Sequence, residues 1–443
     1  MQLPSRSRLI RYLALFVPYL GLLATWDLAG HPVAMLCWFA AAIAALVWAR
    51  CSAVVPTLHV LLLVAAGMRL ILLPLPPSLS DDVYRYLWDG RVAAAGFNPY
   101  ELAPNATELT NLRDDLWQAL PHRNVATVYP PLALTLFSIA AKFPWPLLLW
   151  KSMLIVVDLA TCLFLFRLAA HRGGDGVRAV WYAWNPLVTL EVAGMGHLDA
   201  LGVCAVVIAV WALVAGRKTA WIALAAAAGV LIKLIPILAF PVWLRRSRRR
   251  AVFVGLSVLV LAAAFGPVLV ASRGLPSGYL AFGGSWEFNG PLYEPLWRVL
   301  ESVDARSHGE RLLDSLKAFG GNHEFWNRFY PFNYPRMHAR FLLAVLFSVL
   351  AVRIWRKSDV IGATGSVFEL LVLCSATVYP WYLLWLLPFA ALAERSAWLV
   401  LSSMSVLSYL AQFTEVPLMP WVFIGCWGPY ALIRGAPKRW FAA

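Results

Sequence analysis

Two adjacent carboxylates, Asp81 and Asp82, follow directly on a long apolar run. They open the densest polar stretch between such runs, Ser80-Asp-Asp-Val-Tyr-Arg-Tyr-Leu-Trp-Asp-Gly-Arg91. Acids in this position either cap a helix or take up a proton from a reacting hydroxyl. Ser80 is a good N-cap, and Asp81 and Asp82 then fall in the first turn, where the helix dipole favours negative charge. On that helix Asp82, Arg85 and Asp89 share one stripe, and Val83, Leu87 and Ala94 another. The pattern predicts an amphipathic helix lying against a membrane surface, ended by Gly96 and Asn98-Pro99. Arg85 is either the nearest cation to the acid pair or an ion-pair partner of Asp82 or Asp89.

Other ionisable residues lie inside apolar runs, where each is costly and points to function by default. Arg69, about two turns before Pro76, is expected to snorkel outward. Asp158, between Val157 and Leu159, needs a partner. Glu191, His197 and Asp199 cluster in sequence around Gly194 and Gly196. His197 and Asp199 alone are too few for a metal site. Lys233, beside Pro236, suits a pair with Asp158 or Glu191, or a phosphate. No cofactor or metal is expected.

The elements that position these residues are membrane spans. Of 443 residues, 61% are hydrophobic and only 14% charged, with 22 Trp, which describes a polytopic membrane protein. The net charge of +14 sits in short loops such as Arg245-Arg-Ser-Arg-Arg-Arg250, as the positive-inside rule requires, and not in a nucleic-acid-binding face. The six cysteines are scattered and form no disulfide or zinc framework. The basic N-terminus with its apolar run reads as an uncleaved first span.

Apolar runs near 10–29, 32–49, 54–76, 131–143, 146–168, 178–195, 197–215, 219–243, 251–271, 338–355, 360–378, 381–393, 396–413 and 418–433 predict an all-α fold of about 11–14 transmembrane helices. It forms a single domain over 1–443, with extracytoplasmic loops at 78–130 and 273–337 and a second surface helix near 111–123. The run 131–143 is short and opens with two prolines. Counted as a full span, it puts Arg172, Arg178, Arg217 and Lys218 outside, against the charge rule. Counted as re-entrant, it breaks parity unless Pro236 splits the run 219–243.

The acid-bearing stretch, continued by Gly96-Phe-Asn-Pro-Tyr100, resembles the first extracytoplasmic loop of polyprenyl-phosphate-mannose-dependent mannosyltransferases of the GT-C superfamily, in particular the GT87-like bacterial branch. Val128-Tyr-Pro-Pro131, Trp184-Asn-Pro-Leu187, Gly196-His-Leu-Asp-Ala-Leu201, Lys233-Leu-Ile-Pro236, Trp286-Glu-Phe-Asn289 and Tyr379-Pro-Trp-Tyr382 extend the likeness in order over roughly residues 69–393. Tyr379 stands where the family commonly has His.

The resemblance implies inverting transfer of a sugar, mannose in the family, from a polyprenyl phosphate to an acceptor hydroxyl. It also implies a plasma-membrane location with the site on the extracytoplasmic side. One of Asp81 and Asp82 is then the general base; the family's catalytic acid, at the start of this helix, favours Asp81. Arg85, Tyr129, His197, Asp199, Lys233, Tyr379, Trp381 and Tyr382 are the expected substrate contacts, with Glu287 and Asn289 orienting the acceptor. The partners implied are the lipid-linked sugar donor, a lipid or glycan acceptor and the membrane. The alternatives are a related transferase using another polyprenyl-phosphate sugar, a transporter or lipid flippase with Asp158, Glu191 and Lys233 as its ion path, and a non-catalytic scaffold. The absence of a detectable repeat and the external acid pair count against the transporter.

Overall fold

The computed structural model describes residues 6–51, 56–171, 173, 176–319, 323–357, 359–413 and 419–435. These fold as an all-α polytopic membrane protein; the strand-like contacts among them are isolated bridges from Thr377 to Phe288 and Asn289. Among the described residues four helices are long and apolar enough to cross a membrane: Pro32–Arg50, Pro146–His171, Arg250–Ala271 and Pro335–Trp355.

Several predicted spans are broken rather than continuous. The run 178–195 comprises short turns, the helix Pro186–Thr189 and a π-helical turn at Leu190–Met195. Pro186 lacks an amide to lose and sits in the first turn, with the Asn185 side chain accepting from the Leu187 amide. The run 219–243 stops after Ile232, because Lys233 is extended (φ −154°, ψ 139°), and resumes as a 3-10 turn holding Pro236. The run 381–393 likewise opens with a 3-10 turn, Pro380–Trp385, and 396–413 divides at Ser405–Leu407. In hydrocarbon, irregular backbone persists only where protein or a water-filled cavity surrounds it. Two of these breaks, at Lys233 and at Pro380–Trp385, meet at one place, the cavity described below.

The run 131–143 forms an 11-residue helix, Pro131–Ala141. At ~16 Å it is too short to cross a ~30 Å core. The acid-bearing helix packs on it closely. A Cβ on Gly90 would lie 2.4 Å from the Phe137 backbone, so only glycine permits this approach.

That helix runs Asp82–Ala94 and starts later than expected. Asp81 occupies the cap position without a side-chain cap bond, and the Ser80 hydroxyl accepts from the Asp82 amide at 3.3 Å. It does not lie on the surface. Arg85 and Asp89 are as buried as Val83 and Leu87, because the chain beyond it folds back over the polar stripe. In the expected second surface helix, 111–123, the helical part is Asp115–Gln118, preceded by a 3-10 turn, Thr107–Leu112.

Arg69 does not snorkel. Fully buried, it donates from Nε to Asp158 (2.6 Å) and from Nη1 to the carbonyls of Ala65 (3.0 Å) and Ala183 (2.9 Å). Asp158 also accepts from the Tyr182 hydroxyl at 2.6 Å. A fixed cation in the core leaves the guanidinium no reason to reach for the interface.

Candidate active site

A cavity of about 780 Å³ opens beside the start of the Asp82–Ala94 helix. Its walls bring together residues far apart in sequence: Asp81, Asp82, Arg85, Tyr129, Lys233, Tyr379, Trp381 and Tyr382 all line it. Eight of the expected site residues therefore share one chamber.

Asp81 is exposed at the rim, while Asp82 lies deeper, its side chain 33% exposed. Desolvation raises the Asp81 carboxyl, opposed by a hydrogen bond from its own backbone amide and by the nearby His122. Desolvation, the neighbouring Asp81 charge and Asp199 push Asp82 up to about 7, against Lys233 and the Tyr86 hydroxyl. A carboxylate poised near neutral pH suits proton transfer.

Lys233 does not reach Asp158 or Glu191. Its Nζ donates to Asp199 Oδ1 at 2.7 Å and lies 4.5 Å from the Tyr382 ring centre. The extended backbone at Lys233 aims the ammonium back toward the first turn of Asp199–Val214. Asp199 also accepts from Trp385 Nε1 at 2.5 Å. Asp199 itself is buried behind Lys233 and does not line the chamber.

Arg85 borders the cavity but is fully committed. Nε donates to Asp89 (2.8 Å), Nη1 to the His122 carbonyl (3.2 Å) and Nη2 to the Val125 carbonyl (2.6 Å). The ion pair is thus with Asp89, and the guanidinium holds the loop that carries His122 into the cavity wall.

His197 stands immediately behind Asp82, with Nδ1 3.9 Å from its Oδ2. It ends a stack of nearly parallel rings, Phe288, Tyr379, Trp381 and His197, with centres 4.5, 4.5 and 4.0 Å apart.

Residues 286–288 run alongside Thr377, to which Phe288 and Asn289 are bridged, and Asn289 turns the chain with a left-handed φ of 53°. Trp286 and Phe288 line the cavity, whereas Glu287 and Asn289, the two expected to orient an acceptor, point away. Glu287 binds Tyr293, Arg336 (2.7 Å) and Arg340 (3.0 Å). Asn289 accepts from Trp427 Nε1 at 3.1 Å. Both are scaffolding for the segment.

Sequence reasoning passed over His122, Trp385 and Tyr409. His122 packs 4.6 Å from Trp286, ring centre to ring centre. Its backbone φ of 47° marks a strained turn, but nothing in a run of loop residues signals which one faces the site. Trp385 lay within the expected 381–393 span, where an indole partnering Asp199 cannot be told from one facing lipid.

A helical membrane bundle whose broken helices border an acid-edged, aromatic-walled cavity holds ionisable groups beside a space wide enough for a substrate. Residues 12–246, more than half of the chain, match the sequence profile of the alpha-(1->6)-mannopyranosyltransferase N-terminal domain. The chain belongs to this mannosyltransferase family. It is 27% identical over 344 residues to alpha-(1->6)-mannopyranosyltransferase A of Mycobacterium tuberculosis (strain ATCC 25618 / H37Rv), which covers 71% of this chain and 61% of that relative. The chain therefore spans less than two thirds of that relative's length. No solved structure matches it.

Proposed function

We propose that this protein is an inverting mannosyltransferase that moves mannose from a polyprenyl-phosphate donor to a hydroxyl of an envelope glycolipid or glycan. It would act at the extracytoplasmic side of the plasma membrane, within the GT87-like branch of the GT-C superfamily. The family name supports an α-(1→6) linkage. The observation that carries the reading is the convergence of Asp81, Asp82 and Lys233 on one aromatic-walled cavity.

In this mechanism the acceptor hydroxyl attacks the anomeric carbon opposite the phosphate, and a carboxylate takes its proton. The deeper position and near-neutral pKa of Asp82 favour it over Asp81 as the base. The departing phosphate monoester, with a second pKa near ~6, needs no general acid. Lys233 and the hydroxyls of Tyr129, Tyr379 and Tyr382 suit the charge that develops on it. Arg85 positions the His122 loop instead of meeting the phosphate. The donor carries one phosphodiester charge, which a single ammonium balances, so transfer should survive EDTA; loss with chelator and recovery with Mg²⁺ or Mn²⁺ would place a metal in the site.

The test is transfer of label from polyprenyl-phosphate mannose to an envelope-lipid extract by purified protein. Asp82→Asn should lower the rate ~10²–10⁴-fold with the fold intact. Loss only in Asp81→Asn moves the base to Asp81, and full activity in both variants removes the carboxylate mechanism.

A further inference from the structure

Behind the cavity lies a buried chain of polar groups that the transfer reaction above does not use. Glu191 is fully buried on the π-helical turn. Its Oε1 accepts from the Tyr409 hydroxyl at 2.8 Å, and its Oε2 lies 3.3 Å from His197 Nε2. The π turn makes this possible: the His197 amide closes back on the Glu191 carbonyl at 2.9 Å. Gly196, between them, adopts a left-handed φ of 79° that a side chain would strain. The other ring nitrogen, Nδ1, faces Asp82 at 3.9 Å. By hydrogen-bond geometry Glu191 Oε2 and both nitrogens of His197 are unsatisfied, although buried. Such groups are rare and call for a role.

We propose that Glu191 and His197 form an orienting dyad behind the base, so that Asp82, His197 and Glu191 act as a proton-accepting relay backed by Tyr409. This rests on the transferase reading and deepens it. A carboxylate at Glu191 fixes the proton on Nε2 and leaves the Nδ1 lone pair toward Asp82. With Asp82 ionised, lone pair faces carboxylate and the two stand apart. Once the acceptor's proton reaches Asp82, its O–H can donate to Nδ1 and the gap closes. In the full step, the acceptor O–H and the anomeric C–O(phosphate) bonds break, and the new glycosidic C–O bond forms. The phosphate leaves with the bonding electron pair. The proton passes to Asp82 and then to His197 Nδ1, and returns to water through the open cavity. The imidazolium formed lies flat on Trp381, 4.0 Å away and 14° from parallel, where the π-face favours a cation. The charged groups facing His197 are Asp82, Glu191 and Lys233, with Asp199 two residues on and Tyr409 bonded to Glu191; burial first and then Lys233 oppose the imidazolium, and the acids beside it favour it.

The test combines kinetics with a reading that does not need turnover. In His197→Gln, kcat should fall ~10²-fold with both KM values nearly unchanged, and imidazole should partly restore His197→Gly. In Glu191→Gln, kcat should fall at least ~10-fold, as when the orienting member of a triad is neutralised. The ascending limb of its pH profile should move to lower pH, because the amide no longer favours a proton on the ring. Glu191→Asp should keep the limb in place. Nitrogen NMR of His197 should show the Nε2–H tautomer in the wild type and its loss in Glu191→Gln. An Nδ1–H tautomer, or activity lost without a shifted limb or imidazole rescue, would reduce the dyad to packing. Should the wild type transfer no mannose, the tautomer still decides the dyad, while the function itself would be wrong.

Discussion

Two buried ionic clusters lie within the same bundle, and they are built to opposite ends. Around Arg69 the charges close on one another: Asp158, Tyr182 and two carbonyls complete the set, and Nη2, the one guanidinium nitrogen without a hydrogen bond, lies 2.5 Å from Asp158 Oδ2; all three side chains are out of reach of water. Around Asp82 the set is open. Asp199 Oδ2, Glu191 Oε2 and the His197 nitrogens lack hydrogen-bond partners, and Asp82 and Lys233 face a cavity. A closed cluster resists breaking because removal of one member strands a charge in a low-dielectric interior. An open one tolerates changes of charge state, which chemistry requires. Burial of charge alone therefore does not mark a site; unsatisfied burial beside a cavity does.

The largest effect should come from breaking the closed cluster. Asp158→Ala leaves Arg69 unpaired and should cost ~3–5 kcal/mol of stability, seen as a large fall in unfolding temperature in detergent. Glu191→Gln, in the open cluster, should leave that temperature nearly unchanged. Equal damage from both would erase the distinction between them.

Next comes the cation. Lys233→Met combined with Asp199→Asn removes both charges of a pair, so the double variant should fold, yet its transfer rate should remain down ~10²-fold. Wild-type turnover in this variant would free Lys233 from any role toward the phosphate.

Asp82 gives a pH signature of the open cluster. Its folded-state pKa, raised to about 7, means that the fold binds its proton more tightly than the unfolded chain does. It therefore destabilises as pH rises from near 4 to about 7. Asp82→Asn should be neutral in stability near pH 4 and increasingly stabilising up to about pH 7, while wild-type transfer rises through the same upper range. A variant that is destabilising throughout would place Asp82 with the closed cluster.

The smallest perturbation fixes which way the open cluster faces. In a cysteine-free background, Glu101→Cys should react with an impermeant thiol reagent from outside, and Arg217→Cys only after permeabilisation. The reverse pattern would turn the cavity toward the cytoplasm.

Much of this was legible in the chain. Composition and long apolar runs dictate a helical membrane protein, because in lipid only helices and closed barrels satisfy the backbone, and barrel strands would alternate polar and apolar residues over much shorter stretches. The polar stretch after a span singled out Asp81 and Asp82, and each ionisable residue within a run was visible as a cost needing a partner. The positions of Pro186, Pro236 and Pro380 also made breaks in those runs readable in principle, since proline removes a donor.

What tertiary structure decided was who partners whom. Lys233 joins Asp199, not Asp158 or Glu191, because the Lys233 backbone turns extended where its helix ends. Arg69 stays inside because Asp158 and Tyr182 arrive from two other helices. Glu287 falls outside the site, and Trp286 and Phe288 inside, because the bridge to Thr377 sets which face of the segment meets the cavity, while Asn289 leaves it through a left-handed turn (φ 53°). A one-residue register exchanges every side chain between faces. Sequence fixes which groups must be satisfied, since desolvation acts on each residue alone; their pairing depends on distances between helices, which only the packed bundle defines.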